Sequence, residues 1–220
     1  MIVLEETTRD YLNLVWLKSE SWKLSLTDAQ RLLIDQADLE DPNQNEARAQ
    51  LLSYRGPVVD QIPAVSRYWH VRMEEDDLPN LHLITVWDWF LDTGRTFRLA
   101  DIEAHLQPGR GGIINGSRQD IYHHQDVQTK ASYLEEYDAE SSDEYLVLVA
   151  CSRAGPFTII DGTHRACALY LQHRREPNMP WRGILVESPD MDSNRWHIES
   201  PVTPQVISEL GQLAEAGVLW

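Results

Sequence analysis

At 220 residues the chain can form one domain with a sizeable core, and 42% hydrophobic with 25% charged residues is ordinary for a globular protein. A net charge of −16 repels polyanions over most of the surface, and no basic run or helix-turn-helix pattern offsets it, so nucleic acid is excluded as a partner. Cys151 and Cys167 are too few for a disulfide framework. No basic N-terminal region followed by an apolar core appears, and no run reaches membrane-spanning length, so the expectation is a cytoplasmic protein without a membrane partner.

Residues 1–56 read as helical. Tyr11, Leu12, Leu14, Val15 and Trp16 cluster before Trp22, and Ser25-Leu26-Thr27-Asp28 opens a helix carrying Leu32, Leu33, Ala37 and Leu39. Asp41-Pro42-Asn43 is expected to end it, and a further helix with Ala47, Leu51 and Leu52 to stop at Gly56-Pro57. Residues 1–60 are therefore expected to form a helical extension, either a cap over a site or a partner-binding bundle. Tyr68–Met73 and Leu81–Trp87 alternate like strands. They form either a hairpin with a long loop or two strands that never meet. The acidic Glu74-Glu75-Asp76-Asp77 between them reads as a solvated turn. Leu99–Leu106 is a short helix candidate.

Pro108-Gly109-Arg110-Gly111-Gly112 and Asn115-Gly116-Ser117 are the most flexible stretch by composition, suited to a phosphate-approaching loop, a lid or a surface loop. His123-His124-Gln125-Asp126 precedes a helix expected over Val127–Tyr137. Neighbouring histidines diverge and rarely share a metal, so a surface role is favoured, with Asp126 as the helix N-cap. Lys130 on that helix is a secondary candidate for a phosphate contact. Glu144–Ala150 is a nearly continuous apolar run, hence a buried strand, and Ser152–Pro156 turns it back.

Phe157-Thr158-Ile159-Ile160 is a second buried strand, broken by Asp161-Gly162. From Arg165 the apolar positions Ala168, Leu169 and Leu171 and the basic end His173-Arg174-Arg175 read as a helix. A strand that turns so abruptly into a helix presents the unpaired amides of the first helical turn, a cradle for anions and for phosphate above all. Arg165 adds a cationic fork, Asp161 a carboxylate for Mg²⁺ or for a proton, and His164 a proton shuttle. Pro177–Pro180 ends the helix, Trp181–Val186 forms a further strand, and Thr203-Pro204 caps a final amphipathic helix over residues 201–220.

At Ile160-Asp161-Gly162-Thr163-His164-Arg165 the chain resembles the ParB/sulfiredoxin superfamily. Sulfiredoxins carry Gly-Cys-His-Arg at this turn and bind ATP, and ParB proteins carry a Gly-Glu-Arg-Arg-type turn and bind CTP. Free-serine kinases of the superfamily carry Asp-Gly-His-His-Arg, the version this chain is most similar to, with Thr163 in place of the first His. Thr163 also stands where sulfiredoxin has its catalytic Cys, which disfavours sulfinic-acid reduction.

The resemblance implies an α+β fold: a ParB/sulfiredoxin-like small mixed sheet with packed helices over residues 61–200. It places Leu81–Trp89 as the first core strand and Thr93-Gly94-Arg95 as the loop returning over a nucleotide. It implies an ATP-dependent phosphotransferase acting on a small hydroxylated molecule. Asp161 would be base or Mg²⁺ ligand, and Gly162, Thr163, His164 and Arg165 would hold the phosphates. The Glu that those kinases draw from an earlier segment has no match the sequence locates. The alternative is a non-catalytic nucleotide-binding switch or interaction module, with a protein partner at the acidic surface or the N-terminal helices.

Overall fold

The computed structural model of the chain describes residues 1–21, 24–134, 145–173 and 181–220. Trp22, the expected helical residues 135–137, the expected strand start at Glu144, the basic pair Arg174-Arg175 and the Pro177–Pro180 helix stop lie outside the described residues. The fold is mixed α+β and is built on a six-stranded sheet. Its strands are β1 (Ile2–Thr7), β2 (Arg67–Met73), β3 (Leu81–Leu83), β6 (Leu146–Ala150), β7 (Phe157–Asp161) and β8 (Trp181–Glu187). They lie in the order β1-β2-β8-β6-β7-β3, with β8–β6 and β7–β3 parallel and the remaining pairs antiparallel.

The centre of the sheet is covered on both faces, which is why β6 reads as continuous apolar sequence. Leu146, Leu148 and Ala150 face one cluster with Phe157, Ile159 and Leu185, and Val147 and Val149 face the other with Ile184 and Val186. The first cluster is closed by helices α7 (His123–Leu134) and α8 (Thr163–His173), through Val127, Ala166 and Leu169. The second is closed by α1 (Arg9–Glu20), α2 (Asp28–Asp35) and α3 (Pro42–Leu51) with the turn after it, through Leu12, Trp16, Ile34 and Leu52.

Several expected elements are corrected. The first residues are not helical: β1 pairs with β2 along the edge, with Glu5 and Glu6 exposed. Edge strands carry charge readily, and that charge hid the strand pattern. Thr27 caps α2 as expected, in a capping box with Gln30. Asp41-Pro42, however, opens α3 instead of ending α2: the Asp41 carboxylate accepts from the Asn43 amide and Pro42 takes the first helical position. Gly56-Pro57 does not stop the helical run, which passes through α4 (Gly56–Val59). β2 and β3 never meet. The expected strand to Trp89 ends at Leu83, and α5 (Trp87–Phe90) follows. Leu99–His105 forms a 3-10 turn running into α6 (Ile102–His105).

The glycine-rich stretch is ordered as a hairpin of β4 (Gly111–Ile114) and β5 (Ser117–Asp120), with Asn115 and Gly116 both at positive φ in its tight turn. Gly111 exchanges backbone hydrogen bonds with Trp220, and a Cβ on Gly112 would lie 2.7 Å from Leu219 Cδ2. Gly111 and Gly112 admit the close approach of Leu219 and Trp220. The last helix, α9 (Thr203–Glu215), carries Pro204 in its first turn. The Thr203 hydroxyl does not cap it and donates to the His197 carbonyl instead. Among the described residues no helix is long and apolar enough to cross a membrane.

Candidate functional site

β6 and β7 form the expected hairpin, and β7 turns into α8 within one residue. Gly162 makes that turn at φ +78°, and a Cβ there would lie 2.8 Å from Leu146 Cδ2. Both the backbone conformation and the space require glycine. The first bond of α8 runs from the Ala166 amide to the Gly162 carbonyl at 2.8 Å. Thr163, His164 and Arg165 therefore occupy the first turn, where the positive end of the helix dipole lies.

The ladder between β6 and β7 slips just before the turn. Leu148 stands opposite Ile159 and Val147 opposite Asp161, so Ile160 is an extra residue on β7. Residues directly opposite share a face, so the Asp161 side chain falls on the Val147 face, which α1 covers. Ser19 of α1 donates to Asp161 Oδ2 at 3.4 Å, and Asp161 is buried. His164 belongs to the other side of the corner, packed against α7 and α5.

Around His164 is a polar cluster that sequence reasoning did not find. His123, the first residue of α7, is buried and stacked on Trp89 with ring centroids 3.7 Å apart and an interplanar angle of 13°. Its Nδ1 lies 3.1 Å from Asp92 Oδ2 and its Nε2 3.7 Å from Asp88 Oδ2. Burial disfavours the charged ring, but hydrogen bonds and charge from Asp88 and Asp92 outweigh it, and the His123 pKa is raised. Arg110 Nε approaches the other Asp92 oxygen at 3.7 Å. The rings of His123 and His164 meet edge to face at 4.9 Å, and His164 Nε2 lies 3.6 Å from Asp126 Oδ2. The His164 side chain is 34% exposed, against 8% for His123. The partly exposed His164 ring thus sits beside the buried His123 ring, with the His164 Nε2 edge itself shielded from solvent.

The structure places the expected residues as follows. Gly162, Thr163 and His164 line the start of α8 and are partly exposed. Arg165 is buried, and its Nη1 donates to the Tyr145 carbonyl at 3.0 Å, so part of the fork is engaged by the chain itself. Asp126 is not a cap. It sits within the first turn of α7, facing His164, and its amide donates to the Tyr122 carbonyl. Lys130 is exposed one helical turn beyond Asp126. His123 has no surface role. The one available cue was its proximity to Asp126, since its partners Asp88 and Asp92 are distant in sequence. Among the described residues, three metal-ligating groups converge only at Cys151, His197 and Glu199, beyond the opposite end of β6.

Comparison with protein-family models, curated proteins and solved structures finds no match to the chain.

Proposed function

We propose that the chain is an ATP-dependent phosphotransferase acting on a small hydroxylated molecule, on a ParB/sulfiredoxin-like core. The fold assignment is supported by the β6–β7 hairpin, the one-residue turn at Gly162, and β8 returning beside β6 after α8. The functional reading rests on one observation. The partly exposed His164 occupies the first turn of α8, paired with Asp126 and backed by the raised-pKa ring of His123. A helix N-terminus suits a polyphosphate, and a partly exposed imidazole beside a carboxylate suits proton transfer.

In this reading the phosphates lie at the amides of Thr163 and His164. The acceptor hydroxyl oxygen attacks the terminal phosphorus, the bridging P–O bond breaks, and ADP leaves with its electron pair. The hydroxyl proton passes to His164 or to Asp161, and Asp161 is the residue that would hold Mg²⁺. Such a transfer depends on positioning and charge far more than on covalent chemistry. The role of Arg165 shifts from phosphate fork toward a tie between α8 and Tyr145.

Its test is thermal unfolding with ATP, CTP, GTP and ADP, with and without Mg²⁺. A nucleotide present at about 100 times its Kd adds about 2.7 kcal/mol to folded-state stability. ATP with Mg²⁺ is expected to raise the Tm of the native chain and not of His164→Ala. Equal melting with every nucleotide removes the proposal. The burial of Asp161 and Arg165, each held by protein groups, favours a second reading, nucleotide binding without transfer. Stabilisation by ATP with no ADP formed on any hydroxylated acceptor would select it.

A further inference from the structure

At the far end of β6 from the Gly162 turn, the chain leaves the sheet at Cys151 and meets the loop that follows β8. Leu146 packs at Gly162, and Cys151 lies five residues further along, about 16 Å at the rise of a strand. Here Cys151, His197 and Glu199 each present one ligand atom, and the three atoms lie within 4.8 Å of one another.

The loop is held by its own backbone bonds. The His197 amide donates to the Asn194 carbonyl at 2.9 Å, the Ser200 amide to the His197 carbonyl at 3.0 Å, and the Ile198 amide to Thr158 Oγ1 at 2.9 Å. The backbone that carries His197 and Glu199 is therefore tied to β7 through Thr158. His197 supplies an independent observation. Its side chain is wholly buried. One side of the ring leans on the Pro156 carbonyl, and neither ring nitrogen meets full hydrogen-bonding geometry with any group among the described residues. A buried imidazole steadied by a backbone carbonyl at one nitrogen leaves the other for a ligand.

We propose that Cys151, His197 and Glu199 form a binding site for a divalent transition metal ion, zinc first, with a fourth position open to water or an external ligand. A thiolate, an imidazole and a carboxylate are all zinc donors, and three protein ligands with one open position is an established zinc arrangement. Tetrahedral coordination at zinc bond lengths needs donors about 3.5 Å apart. Glu199 is exposed and Cys151 half-buried, so the required contraction falls on side chains with room to move.

Metal binding replaces the Cys151 thiol proton: the S–H bond breaks, a sulfur–metal bond forms, and the proton passes to solvent.

The test uses the full chain after chelator treatment, titrated with Co²⁺ and then Zn²⁺. Co²⁺ is expected to give a thiolate-to-metal charge-transfer band that saturates at one ion per chain and is bleached by Zn²⁺, and Zn²⁺ to raise the Tm. Cys151→Ser should lose the band, and Glu199→Gln, at an exposed position, should bind at least about tenfold more weakly. No band in the native chain overturns the site. So does a band of equal size in Cys151→Ser, or an equal Zn²⁺ effect on the native chain and both variants, which would assign the ion to the acidic surface. Nucleotide binding plays no part in any of these readouts.

Discussion

Asp161 stands opposite Val147 across the β6–β7 ladder, on the face that α1 covers and not on the Ile159 face that carries α8. Strict alternation would have put Asp161 on the same face as Ile159, toward α8 and His164. The extra residue, Ile160, turns it over, and Ser19 meets its carboxylate. The two side chains that the resemblance assigns to chemistry thus flank the corner from opposite faces of the sheet.

Gly162 is the hinge of that arrangement. Replacing it by Ala puts a Cβ in the left-handed region, at a cost of about 1–2 kcal/mol, and 2.8 Å from a Leu146 methyl in a filled core. Gly162→Ala should lose about 2 kcal/mol or more, read as a lower urea midpoint with an unchanged slope. An unchanged midpoint would mean that the turn is not built as described.

Asp92 lies between His123 Nδ1 at 3.1 Å and the Arg110 guanidinium, whose Nε is at 3.7 Å, and its side chain is 1% exposed. Asp92→Asn keeps the shape and removes the charge that favours the protonated His123 ring. Breaking a buried pair from one side costs about 3–5 kcal/mol, and His123 can escape part of that by losing its proton. A loss of about 2–3 kcal/mol in denaturant unfolding at neutral pH is expected. A loss no larger than that of an exposed Asp120→Asn control would contradict the pairing.

The raised pKa of His123 makes stability depend on pH with a defined sign. Burial opposes the charged ring, and Asp88 and Asp92 overcome it, so the folded state holds the proton more tightly than the unfolded chain, where histidine titrates near about 6.5. The stabilisation is complete below that value and is lost as pH rises through the raised folded pKa. The ring also faces Trp89 and His164. The stability difference between the native chain and His123→Gln should therefore shrink with increasing pH, measured by denaturant titration across the neutral range. A difference that stays constant or grows with pH would show His123 to be neutral in the fold.

Much of the fold was legible, because the signals that carry it are local. The two-faced burial of Val147, Leu148 and Val149 gives an unbroken apolar run, and Phe157–Ile160 before Asp161-Gly162 is a strand stopped by turn residues. What failed was mostly contextual. β1 carries Glu5 and Glu6 because it lies at an edge, and no local pattern separates that from a helix start. Asp41-Pro42 signals either a stop or a cap with Pro in the first turn, and the cap geometry decides it. The bulge at Ile160 cannot be read from two consecutive isoleucines that fit either face. The His123 cluster depends on Asp88 and Asp92 arriving from α5 and the turn after it, a meeting set by the packing of α7 on the core.

Arg165 offers a test of role. Its guanidinium donates to the Tyr145 carbonyl within a buried setting, and hydrogen bonds from charged groups contribute about 1.5–3 kcal/mol. Arg165→Lys cannot reproduce the planar fork, so it should lower stability by an amount in that range. If Arg165 is a tie and not a phosphate clamp, the nucleotide-induced rise in Tm should survive in the variant. A native-like Tm combined with loss of the nucleotide response would return Arg165 to the phosphate.

Asp161→Asn separates the base or metal role from the binding role. Asn keeps the volume and an oxygen that can accept from the Ser19 hydroxyl, so the corner should fold with little change in Tm. It removes the negative charge, and with it the capacity to hold Mg²⁺ or take a proton. The first-turn amides of α8 and His164 remain, so ATP should still raise the Tm while ATP turnover with a hydroxylated acceptor is abolished. Turnover at the native rate would assign the proton to His164 alone and leave Asp161 a structural partner of α1. Loss of both binding and turnover in a folded variant would place the phosphates on the Ser19 side of the sheet.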